Sequence, residues 1–97
     1  MKGYWLILGT EVADAAAQQD YGRLWAPIAE RYGARLIREN GPQLAEARPG
    51  TARMLLVEFP DLAAAQACFD DPDYKAACVF AHRAAQRDLV ILAGDLS

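Results

Sequence analysis

The sequence lacks the patterns that mark several common function classes. It has no run of Lys or Arg and its net charge is −3, which argues against binding to a phosphate backbone. No apolar run approaches the roughly 18 residues that span a membrane, and the N-terminus lacks the apolar core of a signal peptide. We therefore expect no nucleic-acid partner, no membrane contact and a cytoplasmic location.

Signals for metals and cofactors are equally scarce. The chain has one histidine and two cysteines, and the spacing of Cys68 and Cys78 matches no common zinc or redox motif. Nucleophile-elbow, Walker and dinucleotide-binding patterns are absent as well. The sequence thus predicts no metal site, no bound cofactor and two reduced, packed thiols.

What the sequence does contain is strands that are apolar on both faces. In segment 53–59, alternate side chains point to opposite sides of a sheet, and both sides are apolar apart from Arg53 and Glu58. Segment 4–8 has the same character. A small lone α+β domain usually leaves one sheet face in water. We therefore expect a second copy of the chain to cover that face.

Capping and turn signals give the order of the elements. Asp14 is the expected N-cap of the first helix and Gly33 its C-cap, and Pro27 predicts a kink or a break near Ala26. Asp71 and Pro72 mark the start of the last helix. The predicted order is strand 4–8, helix from 14 to 33, strand 35–38 with a turn at 40–42 and a short extension at 43–47, strand 53–59, a helix pair from 61 to about 86, and strand 88–93.

This order predicts a single α+β domain over residues 1–97. Right-handed crossovers convert it into a split β-α-β sandwich with an antiparallel sheet and all helices on one face. Leaving the other, apolar face in water would forgo many kcal/mol at ~25 cal/mol per Å². We therefore predict a homodimer in which two sheets pair face to face.

Several segments together resemble the family called domain of unknown function 1330. They are 1–5, Tyr21 spaced from Tyr32-Gly33, 53–60, 71–74 and 88–91. The resemblance covers nearly the whole chain and implies a ferredoxin-like dimeric α/β barrel. That superfamily also contains small monooxygenases, lactone isomerases and stress-responsive proteins. The family itself has no generally assigned reaction, so the resemblance carries over no catalytic residue.

The sequence departs from the family pattern at several polar positions. Leu8 stands where the family often has a polar residue. Residues 39–41 replace a common Arg-Gly-Gly, although Arg38 lies one position earlier. Ala81 falls near a helical arginine of the family, with His82 just beyond. If these positions serve a ligand, the pocket of this chain is altered or drier.

Two residues are candidates for acid–base chemistry. Glu58 lies on an apolar strand, and a carboxylate in such surroundings can act as a general acid or base near neutral pH. The alternative is a structural carboxylate paired with Arg35, Arg38 or Arg53. His82 is the chain's one histidine and suits proton transfer. Its alternative role is to face solvent near a helix C-terminus, where a cation is favourable.

Five residues are candidates for ligand binding: Tyr4, Tyr21, Trp25, Arg38 and Arg53. The Tyr21 hydroxyl needs a buried partner, which Glu58, an arginine or a ligand can supply. Arg38 or Arg53 inside a cavity could clamp a carboxylate-bearing small molecule. The alternatives are core packing for the aromatic residues and surface ion pairing for the arginines.

Two functions remain open at this point. One is a non-catalytic dimer that binds a small molecule between sheet and helices. The other is a cofactor-independent enzyme, isomerase-like or monooxygenase-like, that uses Glu58 or His82 as acid or base. RNA recognition on the same strand order is excluded, because segment 54–57 is aliphatic and the protein is acidic.

Overall fold

The computed structural model describes residues 1–39 and 43–96, and within them the elements follow the predicted order. The strands are β1 (Lys2–Thr10), β2 (Arg35–Arg38), β3 (Thr51–Phe59) and β4 (Arg87–Gly94), and the helices are α1 (Ala15–Tyr32), α2 (Leu62–Asp70) and α3 (Pro72–Ala84). No helix in this described part is long and apolar enough to cross a membrane.

The strands form one antiparallel sheet in the order β2-β3-β1-β4. In this register Tyr4 of β1 lies opposite Glu58 of β3 and Leu92 of β4, so these three share one face. Trp5 lies opposite Val57 and faces the other way, toward the helices. The α+β class, the antiparallel sheet and the placement of the helices on one face are therefore confirmed.

Capping groups fix the ends of α1 as predicted. The Asp14 side chain accepts a hydrogen bond from the Ala17 N–H at 3.0 Å, and Gly33 ends the helix in the left-handed conformation at φ 66°. Of the kink or break predicted near Ala26, the break is wrong, because α1 runs through Pro27. Pro27 cannot bond the carbonyl of Arg23, but both residues are exposed, so water can satisfy that carbonyl.

The second half of the chain differs from prediction in two places. The last helix ends at Ala84 rather than near Gln86, since Gln86 instead bonds β1 through Thr10, with a 2.9 Å bond from the Thr10 N–H to the Gln86 carbonyl. Residues 43–47 form no strand, and the predicted turn at 40–42 lies outside the described residues. The N-cap Asp71 is present as predicted, and Asp61 caps α2.

The hydrophobic core lies between the sheet and the helices, around Trp5. This indole is fully buried and donates to the Ala65 carbonyl at 3.0 Å. Its ring centroid lies 4.9–6.1 Å from four other aromatic rings, a range in which aromatic pairs attract. The rings are those of Trp25, Phe59, Phe69 and Tyr74.

The opposite face of the sheet, which we call the open face, carries no helix. Its apolar side chains come from β1, β3 and β4; most remain partly exposed, with Val90 at 53%, whereas Leu56 is buried. The register places on it Leu6, Leu8, Met54, Leu56, Val90 and Leu92. The predicted two-faced strands are thus present.

Candidate functional site

A cavity of about 200 Å³, here called the α1 cavity, lies between α1 and the helix-facing side of the sheet. Its wall is mainly apolar and aromatic, with two arginines and a few other polar groups. The lining residues are Trp5, Ile7, Gln18, Tyr21, Gly22, Trp25, Leu36, Glu39, Arg53, Leu55, Val57 and Arg87. Apolar walls with a few convergent polar groups are typical of small-molecule sites.

The aromatic wall is built by one stripe of α1 packed on β1. Tyr21 and Trp25, one helical turn apart, lie with their rings nearly parallel, at an interplanar angle of 5° and a centroid distance of 6.5 Å. Trp25 also contacts Trp5 at 5.4 Å. The wall therefore offers flat faces to a planar ligand.

The polar groups at one end of the cavity centre on the Tyr74 hydroxyl. Arg87 donates to it through Nη2 at 2.7 Å, and the Tyr21 hydroxyl lies 3.0 Å away. The Arg87 guanidinium also stacks over the Tyr21 ring at 5.5 Å and contacts Cys78 Sγ at 3.7 Å. The sequence predicted that the Tyr21 hydroxyl needs a buried hydrogen-bond partner. That partner is Tyr74 rather than Glu58.

Electrostatics fix the protonation states of Tyr74 and Arg87 at neutral pH. Burial raises the pKa of the Tyr74 phenol well above its ordinary value, and the neighbouring Tyr21 adds to the rise. Burial alone would lower the pKa of Arg87, but its contacts with Tyr74 and Tyr21 more than offset this, and the pKa is raised. Arg87 is thus a fixed cation and Tyr74 a neutral phenol.

Arg53 enters the same cavity from β3. Its Nε donates to the Thr10 carbonyl at 2.7 Å, which fixes the guanidinium over the end of β1. Of the five residues predicted to bind a ligand, Tyr21, Trp25 and Arg53 therefore line the α1 cavity together.

Tyr4 and Glu58 lie on the open face instead. The buried Glu58 carboxylate accepts hydrogen bonds from the Tyr4 hydroxyl at 3.1 Å and from Arg35 Nη2 at 3.0 Å. Lys2 lies 3.8 Å from it. The Tyr4 hydroxyl in turn accepts from the Leu96 N–H at 2.8 Å. Glu58 therefore forms an ion pair with Arg35, one of the three arginines that the sequence suggested as its partner.

His82 and Arg38 lie away from both groups. His82 is exposed on the last turn of α3 and lines a different cavity of about 340 Å³ beside Lys75 and Cys78. Arg38 is exposed on β2, where the register places it opposite Leu56. Glu58 and His82 therefore do not meet in one protomer, because the sheet separates them.

Sequence reasoning missed Arg87, which the structure makes the most connected polar residue of the α1 cavity. Arg87 lies just before the apolar run of β4 and belongs to no recognised sequence motif. The register supplies the signal, since Gly9 lies opposite both Arg53 and Arg87. That pairing depends on the sheet order, which single-residue patterns do not contain.

Arg87 also borders a second cavity, of about 240 Å³, at the ends of β1 and β4. Its lining is largely polar and includes Arg48, Gln86 and Asp88, with no aromatic ring among the lining residues. The α1 cavity is the better candidate for a ligand site because it combines apolar ring faces with oriented polar groups. Within residues 1–39 and 43–96, no group of three or more metal-ligating acidic, His or Cys side chains clusters.

Comparisons with known proteins support the fold. The family model described as "Domain of unknown function (DUF1330)" matches residues 2–95. Proteins of curated function show no significant sequence match.

Among solved structures, the chain is similar to a protein of unknown function from Rhodopseudomonas palustris, at 24% identity and a TM-score of 0.69, covering 99% of this chain and 84% of that one. It is also similar to a variant of SnoaB, a cofactor-independent oxygenase from Streptomyces nogalater, at 11% identity and a TM-score of 0.67; the match covers 99% of this chain and 95% of SnoaB. A third similar structure is a dimeric ferredoxin-like protein of unknown function from Jannaschia, at 18% identity and a TM-score of 0.64; the match covers 97% of this chain and 100% of that one. At these identities the likeness shows the fold alone, which is ferredoxin-like.

Proposed function

Because this chain belongs to the DUF1330 family, whose description assigns no activity, we propose its function from the α1 cavity: it binds a small molecule there. The observation that carries the proposal is the combination of stacked ring faces with a half-buried arginine held by Tyr74. Ring faces bury an apolar ligand, and oriented donors fix its position.

The size of the cavity limits the ligand. At about 200 Å³ it lies below the roughly 300–1,000 Å³ that is typical of sites for drug-sized molecules. The nearly parallel rings of Tyr21 and Trp25 favour a flat molecule over a bulky aliphatic one. The proposed ligand is therefore a small planar metabolite.

The proposal includes a homodimer formed through the open face. Contiguous exposed apolar patches mark interaction sites, and the similar protein from Jannaschia is described as dimeric. A twofold contact between two open faces would bury Leu6, Met54 and Val90 of each copy. The α1 cavity lies on the other side of the sheet, so such a dimer leaves it accessible.

A second candidate function is cofactor-independent acid–base catalysis, and one observation favours it. The Tyr21 hydroxyl lines the cavity and is hydrogen-bonded to Tyr74, which is itself bonded by Arg87. A positioned phenol of this kind can exchange a proton with a ligand. SnoaB, of the same fold, is described as a cofactor-independent oxygenase. Glu58 and His82 stay predictions as catalytic residues, but within one protomer they cannot act as a pair.

A thermal-shift screen of small planar metabolites tests the binding proposal. A ligand should raise Tm in the natural protein, and Trp25→Leu should abolish the shift because it removes one ring of the wall. Phe80→Leu, on α3 and outside the cavity lining, is the matched control and should keep the shift. Equal responses in the two variants would place binding elsewhere and contradict the proposal.

A further inference from the structure

We infer that the α1 cavity takes a small planar anion whose charged group lies between Arg53 and Arg87. This inference rests on the proposed binding function and adds the chemical class of the ligand. It is carried by the position of the two arginines in one row across the sheet, by the glycine between them, and by the absence of an ion pair to either arginine within the described residues.

The two arginines belong to one row across the sheet. Gly9 of β1 lies opposite Arg53 on β3 and opposite Arg87 on β4, so both side chains rise from the helix-facing side next to the same glycine. A Cβ on Gly9 would lie 3.2 Å from Arg53 Nη2 and 3.6 Å from Arg87 Cβ. The missing side chain therefore leaves the space over which the Arg53 guanidinium extends toward Arg87.

Neither arginine forms an ion pair with the described part of the chain. The salt bridges within residues 1–39 and 43–96 involve other basic residues, namely Lys2, Arg23, Arg31 and Arg35. Arg53 bonds a backbone carbonyl through Nε, and Arg87 bonds a neutral phenol and a thiol through Nη2. An anion that lies between these two half-buried cations, neither of which has a carboxylate partner, would be attracted by both.

Glu39 is the carboxylate that lines this cavity, and it lies at the exposed end of β2. It pairs with neither Arg53 nor Arg87, so it does not neutralise the row. The ring faces of Tyr21 and Trp25 border the same space. A molecule with an aromatic ring and one carboxylate or phenolate matches both features, since guanidinium groups bind such anions with directed, charge-assisted hydrogen bonds.

The test compares benzoate with its neutral analogue benzamide and with acetate, which lacks a ring. Binding is followed by NMR through the indole N–H signals of the chain's two tryptophans, Trp5 and Trp25, both of which line the cavity. We expect benzoate to shift these signals saturably and to bind roughly tenfold or more tightly than either analogue.

Three variants and one control locate the charge. Arg53→Gln and Arg87→Lys should each weaken benzoate binding more than benzamide binding, and Arg53→Gln should weaken benzoate binding by roughly tenfold. The exposed Arg83→Gln is the control and should change neither. Gly9→Ala is a further, charge-neutral test, because its methyl group forces Arg53 Nη2 to move. It should weaken benzoate selectively.

The outcomes separate the two proposals. Benzoate and benzamide of equal affinity, with no effect of Arg53→Gln, would overturn the anion inference and leave cavity binding standing. No movement of either indole signal with any of the three probes would overturn both. Because Arg87 bonds Tyr74, Tm is recorded for every variant, and Arg53→Gln alone decides whether the charge matters if Arg87→Lys unfolds.

Discussion

The Tyr74 hydroxyl joins α1, α3 and β4 through side-chain hydrogen bonds. It is fully buried and contacts both the Arg87 guanidinium and the Tyr21 hydroxyl. Tyr74→Phe keeps the ring and removes both contacts, which leaves a partly buried cation with one fewer partner. We expect the free energy of unfolding to fall by about 1–3 kcal/mol. Urea denaturation of the purified variant measures the change.

Tyr21→Phe serves as the matched control for that prediction. It removes the other hydroxyl of the pair, but Tyr21 is only half-buried and the Arg87–Tyr74 bond survives. We expect a loss below about 1 kcal/mol, since water can take the place of the missing group. Equal losses in the two variants would mean that Arg87 does not depend on Tyr74.

The Cys68 thiol gives the protein a pH dependence above pH 9. Burial, and then the nearby Asp71, raise its pKa from the ordinary 9.0 to about 12. Between these values the unfolded chain has lost a proton that the folded chain keeps, so stability falls as pH rises through this window. One such group contributes at most about 1.4 kcal/mol per pH unit.

Cys68→Ala isolates the contribution of this thiol. The variant should be less stable at pH 7 because it leaves a cavity in the core, but its stability should decline less steeply between pH 9 and 11. The measurement is the slope of unfolding free energy against pH for both proteins. Parallel slopes would show that Cys68 is not the titrating group.

At the scale of the elements, replacing a glycine by alanine should have opposite effects on the stability of the protein at two positions. A Cβ on Gly22 in α1 would meet nothing within 4 Å, so Gly22→Ala should stabilise by about 0.5–1 kcal/mol through helix propensity. A Cβ on Gly3 in β1 would lie 2.3 Å from the Asp61 carbonyl oxygen, so Gly3→Ala must shift backbone and should cost about 1–3 kcal/mol. Thermal unfolding of both variants gives the signs, and a shared sign would contradict this packing.

The elements could be predicted from the sequence because their signals are local. Asp14 and Gly33 are read within a few residues of the helix ends they fix, and the strands follow from their apolar runs. The predicted break at Pro27 was wrong because the sequence around a proline does not indicate whether its side of the helix faces water, as this side of α1 does. The helix–sheet arrangement followed from element order and handedness alone.

The site was only partly predictable, because its residues meet through register. Tyr21, Trp25 and Arg53 were found as aromatic and basic residues on predicted elements, yet nothing local separates them from Tyr4 and Glu58, which the alternation of β1 and β3 places on the other face. Arg87 joins the site through its row with Gly9 and its bond to Tyr74. Those contacts link residues far apart in the chain.

At the scale of the whole molecule, the two faces of the sheet have separate tasks in our proposal. The helix-facing side holds the core and the α1 cavity, and the open face pairs with a second copy. Each strand serves both sides by alternation, which explains why β1 and β3 lack a polar face. Assembly and ligand binding should therefore be separable by mutation.

Two valines of nearly equal exposure test the dimer. Val90 is 53% exposed on the open face and Val79 is 55% exposed on α3. Val90→Asp would place a carboxylate in the proposed interface without a partner, which should raise the dimer Kd by roughly a hundredfold or more. Val79→Asp adds the same charge to a helix surface and should leave the dimer intact. Sedimentation equilibrium of the three proteins at micromolar concentration decides, since a monomeric natural protein, or two variants that dissociate equally, would refute pairing through the open face.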